Sequence, residues 1–191
     1  MSTLLSDVNL SEWTTSAKLE TSKRGQKSTQ ISFRGGPPPF VQLTTPDAPM
    51  HAPFGASAFQ DPDATRLTWQ LQVTSEQADK LEEINKWAKA AADKLGCKGE
   101  WKGLLTEGKN GMMYVKMKVN TMGYNVSRIY DAQRERLQWT EDLGGQLRNA
   151  YARPVLSIAK IWCSGQMYGV TAELIQAVVE LEANSECPED L

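Results

Sequence analysis

Between Lys94 and Tyr130 the chain interleaves cations with aromatic rings. Lys94, Lys98, Lys102, Lys109, Lys116, Lys118 and Arg128 alternate with Trp101, Tyr114, Tyr124 and Tyr130, against only Glu100 and Glu107. Rings give bases a surface to stack on, worth about 1–3 kcal/mol per base, while Lys and Arg follow the phosphates. Single-stranded nucleic acid needs this mixture; a duplex hides its base faces and rewards a basic helix instead. Period two along Met113–Val119 sets Met113, Val115, Met117 and Val119 on one face and Tyr114, Lys116 and Lys118 on the other. Arg148, Tyr151, Arg153 and Lys160 form a second, weaker cluster. The same residues also suit an ordinary solvent-facing strand, because Tyr is favoured in strands whatever their task. Trp162 and Tyr168 flank a proposed hairpin turn and fit core caps as well as stacking platforms.

Other chemistries find little support. His51 is the sole histidine and lies in a proline-rich segment with no partner fixed by spacing, so no triad or Cys-His pair is in view. Cys97, Cys163 and Cys187 are scattered, odd in number and without metal-ligand spacing. Gly35-Gly36-Pro37-Pro38-Pro39 has few backbone donors and no following Lys-Ser/Thr, so it is not a phosphate loop. The paired acids Glu82-Glu83 and Glu141-Asp142 fall on solvated segments. The residues therefore describe a binding protein, not an enzyme, with no metal and no cofactor.

Charge is divided along the chain. The formal net charge is −2, yet all 21 Lys and Arg lie at or before Lys160. Six of the 23 acids follow residue 172, so residues 1–172 carry 21 − 17 = +4 and the remainder −6. A basic body with an acidic end suggests a charged groove and a segment able to compete for it, or a solvated end that aids solubility. The apolar fraction of 40% belongs to a folded domain, and no apolar run is long enough for a membrane span. Met1–Leu10 carries no Lys or Arg, so a secretory signal is not expected and an intracellular protein is.

The positioning elements are mostly strands. Residues 1–28 are polar and weakly patterned, and read as a mobile arm with Trp13 as its one docking residue. Ile31 and Phe33 mark a strand, and Phe40, Val41 and Leu43 a second. Pro46–Gly55 reads as irregular, with its prolines unable to donate to a ladder. Leu67, Trp69, Leu71 and Val73 alternate with Arg66, Thr68, Gln70 and Gln72 in the clearest half-buried strand. Thr74 and Gln77 offer a capping box to a helix over about residues 75–95, ended by Gly96. Ser127–Tyr130 suggests a short strand, and residues 131–150 a loop or partial helix. Val155–Cys163 alternates again before a turn at Ser164-Gly165-Gln166. Residues 172–182 suit either a helical face or a hairpin partner. The fold class is mainly β, a barrel or sandwich with an inserted helix, and the domain runs over residues 29–181 before a tail at 182–191.

Two stretches carry a family likeness. One is Phe40-Val41-Gln42-Leu43 with Pro46, followed by Ala52-Pro53-Phe54-Gly55-Ala56-Ser57 and the strand ending Leu71-Gln72-Val73. The other is Arg153-Pro154-Val155-Leu156-Ser157-Ile158 with Lys160-Ile161-Trp162, then Tyr168-Gly169-Val170-Thr171. Together, over roughly residues 40–180, they resemble the single-stranded DNA-binding proteins of large DNA viruses and phages, with a layout similar to short-tailed coliphage proteins. The resemblance implies an OB-like barrel and non-sequence-specific coating of single strands during DNA replication, recombination or repair. It makes residues after Thr171 a closing strand and the acidic tail, Glu186, Glu189 and Asp190, a contact for replication proteins or a cover for the groove. Here the chain departs from the coliphage pattern, ending in Leu191 instead of an aromatic residue. The expected DNA-binding set is Lys98, Trp101, Lys102, Tyr114, Lys116, Lys118, Tyr124, Arg128, Tyr130, Arg148, Tyr151, Arg153 and Lys160, with Pro53-Phe54-Gly55 plugging the barrel. The expected setting is a nucleus or viral replication compartment. A homodimer is compatible with the likeness, though no segment announces an interface. A single-stranded RNA binder, and an assembly module with no nucleic-acid role, remain open.

Overall fold

A computed structural model describes residues 2–22, 25–57 and 65–181. In chain order the strands are β1 (Thr3–Leu4), β2 (Trp13–Thr15), β3 (Glu20–Thr21), β4 (Lys27–Phe33), β5 (Phe40–Gln42), β6 (Met50–Ala52) and β7 (Arg66–Gln72). After helix α1 (Ser75–Lys94) come β8 (Glu100–Lys102), β9 (Leu105–Glu107), β10 (Met113–Asn120), β11 (Arg128–Tyr130) and β12 (Arg136–Leu137). A short helix α2 (Glu141–Gln146) precedes the long strands β13 (Ala150–Ser164) and β14 (Met167–Glu180). Among the described residues no helix is long and apolar enough to cross a membrane.

The β13–β14 hairpin organises the sheet. The two strands pair antiparallel from Tyr151–Glu180 at the open end to Ser164–Met167 at the turn, where Gly165 adopts a φ of +58°. The free edge of β13 takes three short strands in succession: β4 at Lys160–Cys163, β5 at Val155–Ser157 and β6 at Ala150–Ala152. The free edge of β14 takes β8, then β10 at Glu173, then β11. β10 pairs with β7, and Thr68 of β7 bridges to Ser57, which lies just beyond β6. The segment after β6 thus returns to β7 through one isolated bridge, so the sheet curls round from β7 toward β13. The strands β13, β14 and β10 are each paired on both edges. This is the mainly β fold with an inserted helix that the sequence predicts.

Inward residues fill the barrel. Trp69, Leu71, Val115, Met117, Val119, Leu156, Ile158, Ile161 and Leu174 are all buried. Helix α1 lays Leu81, Ile84, Ala88 and Ala92 against this core, and its N-terminus carries the expected capping box between Thr74 and Gln77. Asn85, buried on α1, accepts from the Leu104 amide at 2.8 Å and donates to Glu82, which ties the helix to the loop before β9. Gly96 follows the helix with a φ of +79°.

Two expectations change, and one reading left open is settled. The N-terminal segment is no mobile arm over the described residues: Leu5 and Trp13 are buried, and β2 and β3 both pair with β4. The Trp13 ring meets Trp87 of α1 edge-on at 5.6 Å. Burying a ring of that size outweighs the polar composition around it. The proline-rich stretch 46–55 is interrupted by β6, which fits between Pro49 and Pro53 and so needs no proline donor. Residues 172–180 are strand, because the long ladder to β13 overrides their helical spacing. Trp13→Ala is expected to cost about 3–5 kcal/mol in urea unfolding; a change within error would return the N-terminal segment to the status of an arm.

Candidate nucleic-acid interface

A surface groove of about 750 Å³ runs over the outer face where β4, β5, β7, β10, β11, β13 and β14 come together. Its walls include Arg66, Arg128, Lys160, Phe40, Met122 and Tyr124, and its floor carries Gln30, Asn120, Ser157 and Glu173. Lys118 stands opposite Glu173 in the β10–β14 pairing and opposite Thr68 in the β10–β7 pairing, which places it with Lys116 beside the groove. Three cations, Arg66, Arg128 and Lys160, thus line the groove with one carboxylate, and a fourth, Lys118, lies opposite that carboxylate across the β10–β14 pairing. Glu173 sits 4.0 Å from the Lys160 ammonium.

Two β-bulges build the groove's centre. Along β14 the pairing skips Ile175, and along β13 it skips Ala159. Leu156 and Ile158 point inward, so an unbroken strand would send Lys160 inward as well. The extra residue at Ala159 reverses the phase: Lys160 emerges in the groove and Ile161 returns to the core. Bulges re-aim side chains in just this way. Both bulged residues line the groove themselves.

Tyr124 is fully exposed at 108%. It rides on the loop between β10 and β11, where Gly123 takes a φ of +92°. The base of that loop is pinned: the Ser127 hydroxyl donates to the Leu174 carbonyl at 2.6 Å, and the Trp139 indole donates to the Ser127 carbonyl at 2.7 Å. An unobstructed ring on a fixed base, beside cations and amide side chains, can stack a base while phosphates meet Lys and Arg.

The other expected residues divide. Lys116 is exposed on the same face as Lys118, opposite Gln70. Tyr130, half-buried, pairs with Val178 at the end of β11. Tyr114 is only 5% exposed, since the Phe54 ring covers it at 5.8 Å and Asn110 reaches its hydroxyl; it is no open stacking surface. Trp101 packs edge-on against Tyr168 at 5.2 Å, and the Tyr168 hydroxyl donates to Asp93 of α1, so β8 serves the helix-covered end of the barrel. Lys102 is ion-paired with Glu100, and Lys98 is exposed just before that strand. None of these lines the groove. Arg153 is held by Glu180 at 2.7 Å and by the Pro46 carbonyl. Tyr151 lies with its ring 5.3 Å from His51 in a separate pocket of about 600 Å³ near the start of α1. Arg148 borders a shallow depression with Phe54. Phe54 itself is 52% exposed and plugs nothing. Glu186, Glu189 and Asp190 lie outside the described residues.

Sequence reasoning overlooked Arg66, Phe40, Met122 and Gln30 as groove residues. For Arg66 a signal was present, its place on the polar face of the Leu67–Val73 alternation. Cys97 and Cys163 are free, and burial, then the neighbouring Cys163, push the Cys97 thiol up to about 11. Among the described residues no group of His, Cys, Asp and Glu could hold a metal ion.

No protein-family model matches the chain, and no curated protein matches it. Among solved structures it is similar to the single-stranded DNA-binding protein from bacteriophage Enc34 in complex with ssDNA, at 8% identity over 88% of this chain and 98% of that one, with a TM-score of 0.49. It is also similar to the single-stranded DNA-binding protein encoded by bacteriophage T7, at 14% identity over 74% of this chain and 87% of that one, TM-score 0.47. Likeness at this level carries no functional weight, and the groove is read from its own geometry.

The crowding of cations has a measurable cost. Burial, then Lys160 and Arg66, hold the Lys118 ammonium below its ordinary 10.5, against the opposite pull of Glu173. The folded chain therefore holds this proton less tightly than the unfolded chain. The penalty is full at neutral pH and is relieved as pH rises from the depressed value toward 10.5. Lys118→Met keeps the aliphatic packing and removes the charge. It is expected to raise the Tm of the free protein at pH 7, a gain that shrinks toward pH 10. Calorimetry showing a lower Tm at pH 7 would contradict this account.

Proposed function

We propose that this chain binds single-stranded DNA without sequence preference and coats it during replication, recombination or repair. The groove carries the reading: three lining cations with Lys118 beside them, an uncovered Tyr124 ring and the amide and hydroxyl side chains of Gln30, Asn120 and Ser157 meet along one face of the sheet. Cations track phosphates, the ring stacks on any base, and the floor offers hydrogen bonds that do not demand one sequence. The width over several strands suits a flexible single strand better than a duplex, whose bases are hidden. The solved neighbours are named for the same ligand, but the groove, not that likeness, supports the reading.

Partner contacts through Glu186, Glu189 and Asp190, dimerisation and action inside a nucleus or viral replication compartment belong to the same proposal as consequences of the resemblance. No catalytic step is proposed.

Anisotropy with labelled oligo-dT over a range of salt tests the reading. Affinity is expected to fall steeply with salt, by about 0.7 in log–log slope for each phosphate contacted. Tyr124→Ala is expected to weaken binding by about 5- to 50-fold at an unchanged slope, within the range of one lost stacking contact. Lys160→Ala is expected to reduce the slope itself by about 0.7. No binding at about 50 mM salt would overturn the proposal.

A further inference from the structure

Phe54 is a half-exposed phenyl ring held in place by everything around it. Its carbonyl accepts from the buried Trp69 indole at 3.2 Å. The next residue, Gly55, lies against α2 so closely that a Cβ there would meet the Gly144 carbonyl oxygen at 2.5 Å. The Ala56 amide donates to that same carbonyl at 2.9 Å, and Ser57 exchanges backbone hydrogen bonds with Thr68. The ring rests on Tyr114, which is backed in turn by Gly108; a Cβ on Gly108 would lie 2.7 Å from the Tyr114 ring. Loop backbone and supporting ring are both fixed, while 52% of Phe54 stays in solvent.

The position of that ring is also informative. Tyr114 alternates with Lys116 and Lys118 on the outer face of β10, so Phe54 lies over the same face as the groove but at the opposite end of the strand. From Asn120, in the groove, to Tyr114 the strand advances about 20 Å. Lys116 lies between the two ends, and Arg148 borders the open depression of about 470 Å³ beside Phe54. One side of the ring covers Tyr114, but about half of it stays in solvent beside Arg148, more than that packing requires, and a preorganised ring loses little entropy on stacking.

We propose that Phe54 is a second base-stacking platform, receiving a nucleobase of the same single strand that enters the groove at Tyr124, with Lys116 and Arg148 on the intervening and flanking phosphates. This rests on the reading of the groove and extends it: the bound strand follows β10 from one end to the other. Tyr114 then acts from beneath, positioning the Phe54 ring without touching DNA. Short oligonucleotides fill the groove alone, and longer ones gain the second contact.

The test compares oligo-dT of about four and about twelve nucleotides, lengths within the range one such barrel covers, on the full chain. Phe54→Ala is expected to bind the longer strand about 10-fold more weakly and the shorter one as the parent does. Phe54→Leu, which keeps an apolar cover over Tyr114 but has no π-face, is expected to match the alanine variant; Phe54→Trp is expected to restore binding. Circular dichroism confirms that each variant is folded. Parent-like binding of the longer strand by Phe54→Ala and Phe54→Leu overturns the second platform while leaving the groove reading intact. Equal losses on both lengths also overturn it, since the ring would then be acting on the groove itself. Failure of the parent chain to bind either length overturns both readings.

Discussion

The ladder between β13 and β14 is the constraint on which the molecule depends. Its two free edges gather six further strands, so the barrel core, the helix-covered end and the groove are all registered against a single pair of chains. Backbone hydrogen bonds in the sheet leave few groups exposed, and the bridge of Ser57 to Thr68 covers part of the edge of β7. With the frame fixed, loops can carry the variable work. The Tyr124 loop is pinned at its base by Ser127 and Trp139, and the Phe54 loop by Trp69 and Gly144. Each presents a ring on a loop whose backbone is anchored to the frame.

Electrostatics on the groove face works against the free protein. Burial, then Lys160 and Arg66, depress the Lys118 proton affinity, and Glu173 offsets only part of their effect. Like charges gathered on a partly desolvated surface are costly unless an anion relieves them. On the proposed reading, the arrangement trades a little stability of the unoccupied state for attraction to a polyanion. At the other end of the barrel, cations are neutralised locally, Lys102 by Glu100 and Lys89 by Asp93, as expected of surface with no such ligand.

Much of this was legible in the residues. Leu67–Val73 and Met113–Val119 alternate cleanly because each has one face on the core, and the helix announced itself through Thr74, Gln77 and Gly96. Lys118, Tyr124, Arg128 and Lys160 were all within the expected binding set. What could not be read was which aromatic would be uncovered. Tyr114 has the right phase on β10, but whether it meets solvent depends on Phe54, separated from it by sixty positions of chain. Trp101 likewise has the right neighbours in sequence, yet its packing partner Tyr168 belongs to another strand. Composition identifies the kinds of residue a single strand needs; only tertiary pairing assigns them to one face. The N-terminal segment misled for a related reason, since Leu5 and Trp13 are too sparse to form a pattern yet large enough to anchor strands.

The bulges at Ala159 and Ile175 stand on opposite strands, and their offsets cancel. Beyond them, toward the turn and toward the open end, the hairpin keeps one and the same register; only the three-residue window of Leu156–Ile158 against Ala172–Leu174 is displaced. The two insertions are therefore a matched set. Flattening one bulge alone, with the sequence unchanged, would slide half the ladder by a residue and turn core side chains of that half outward, whereas flattening both would restore an unbroken ladder with Lys160 facing the core. The aim of Lys160 and the register of the hairpin thus depend on the same two residues, neither of which has any chemistry of its own.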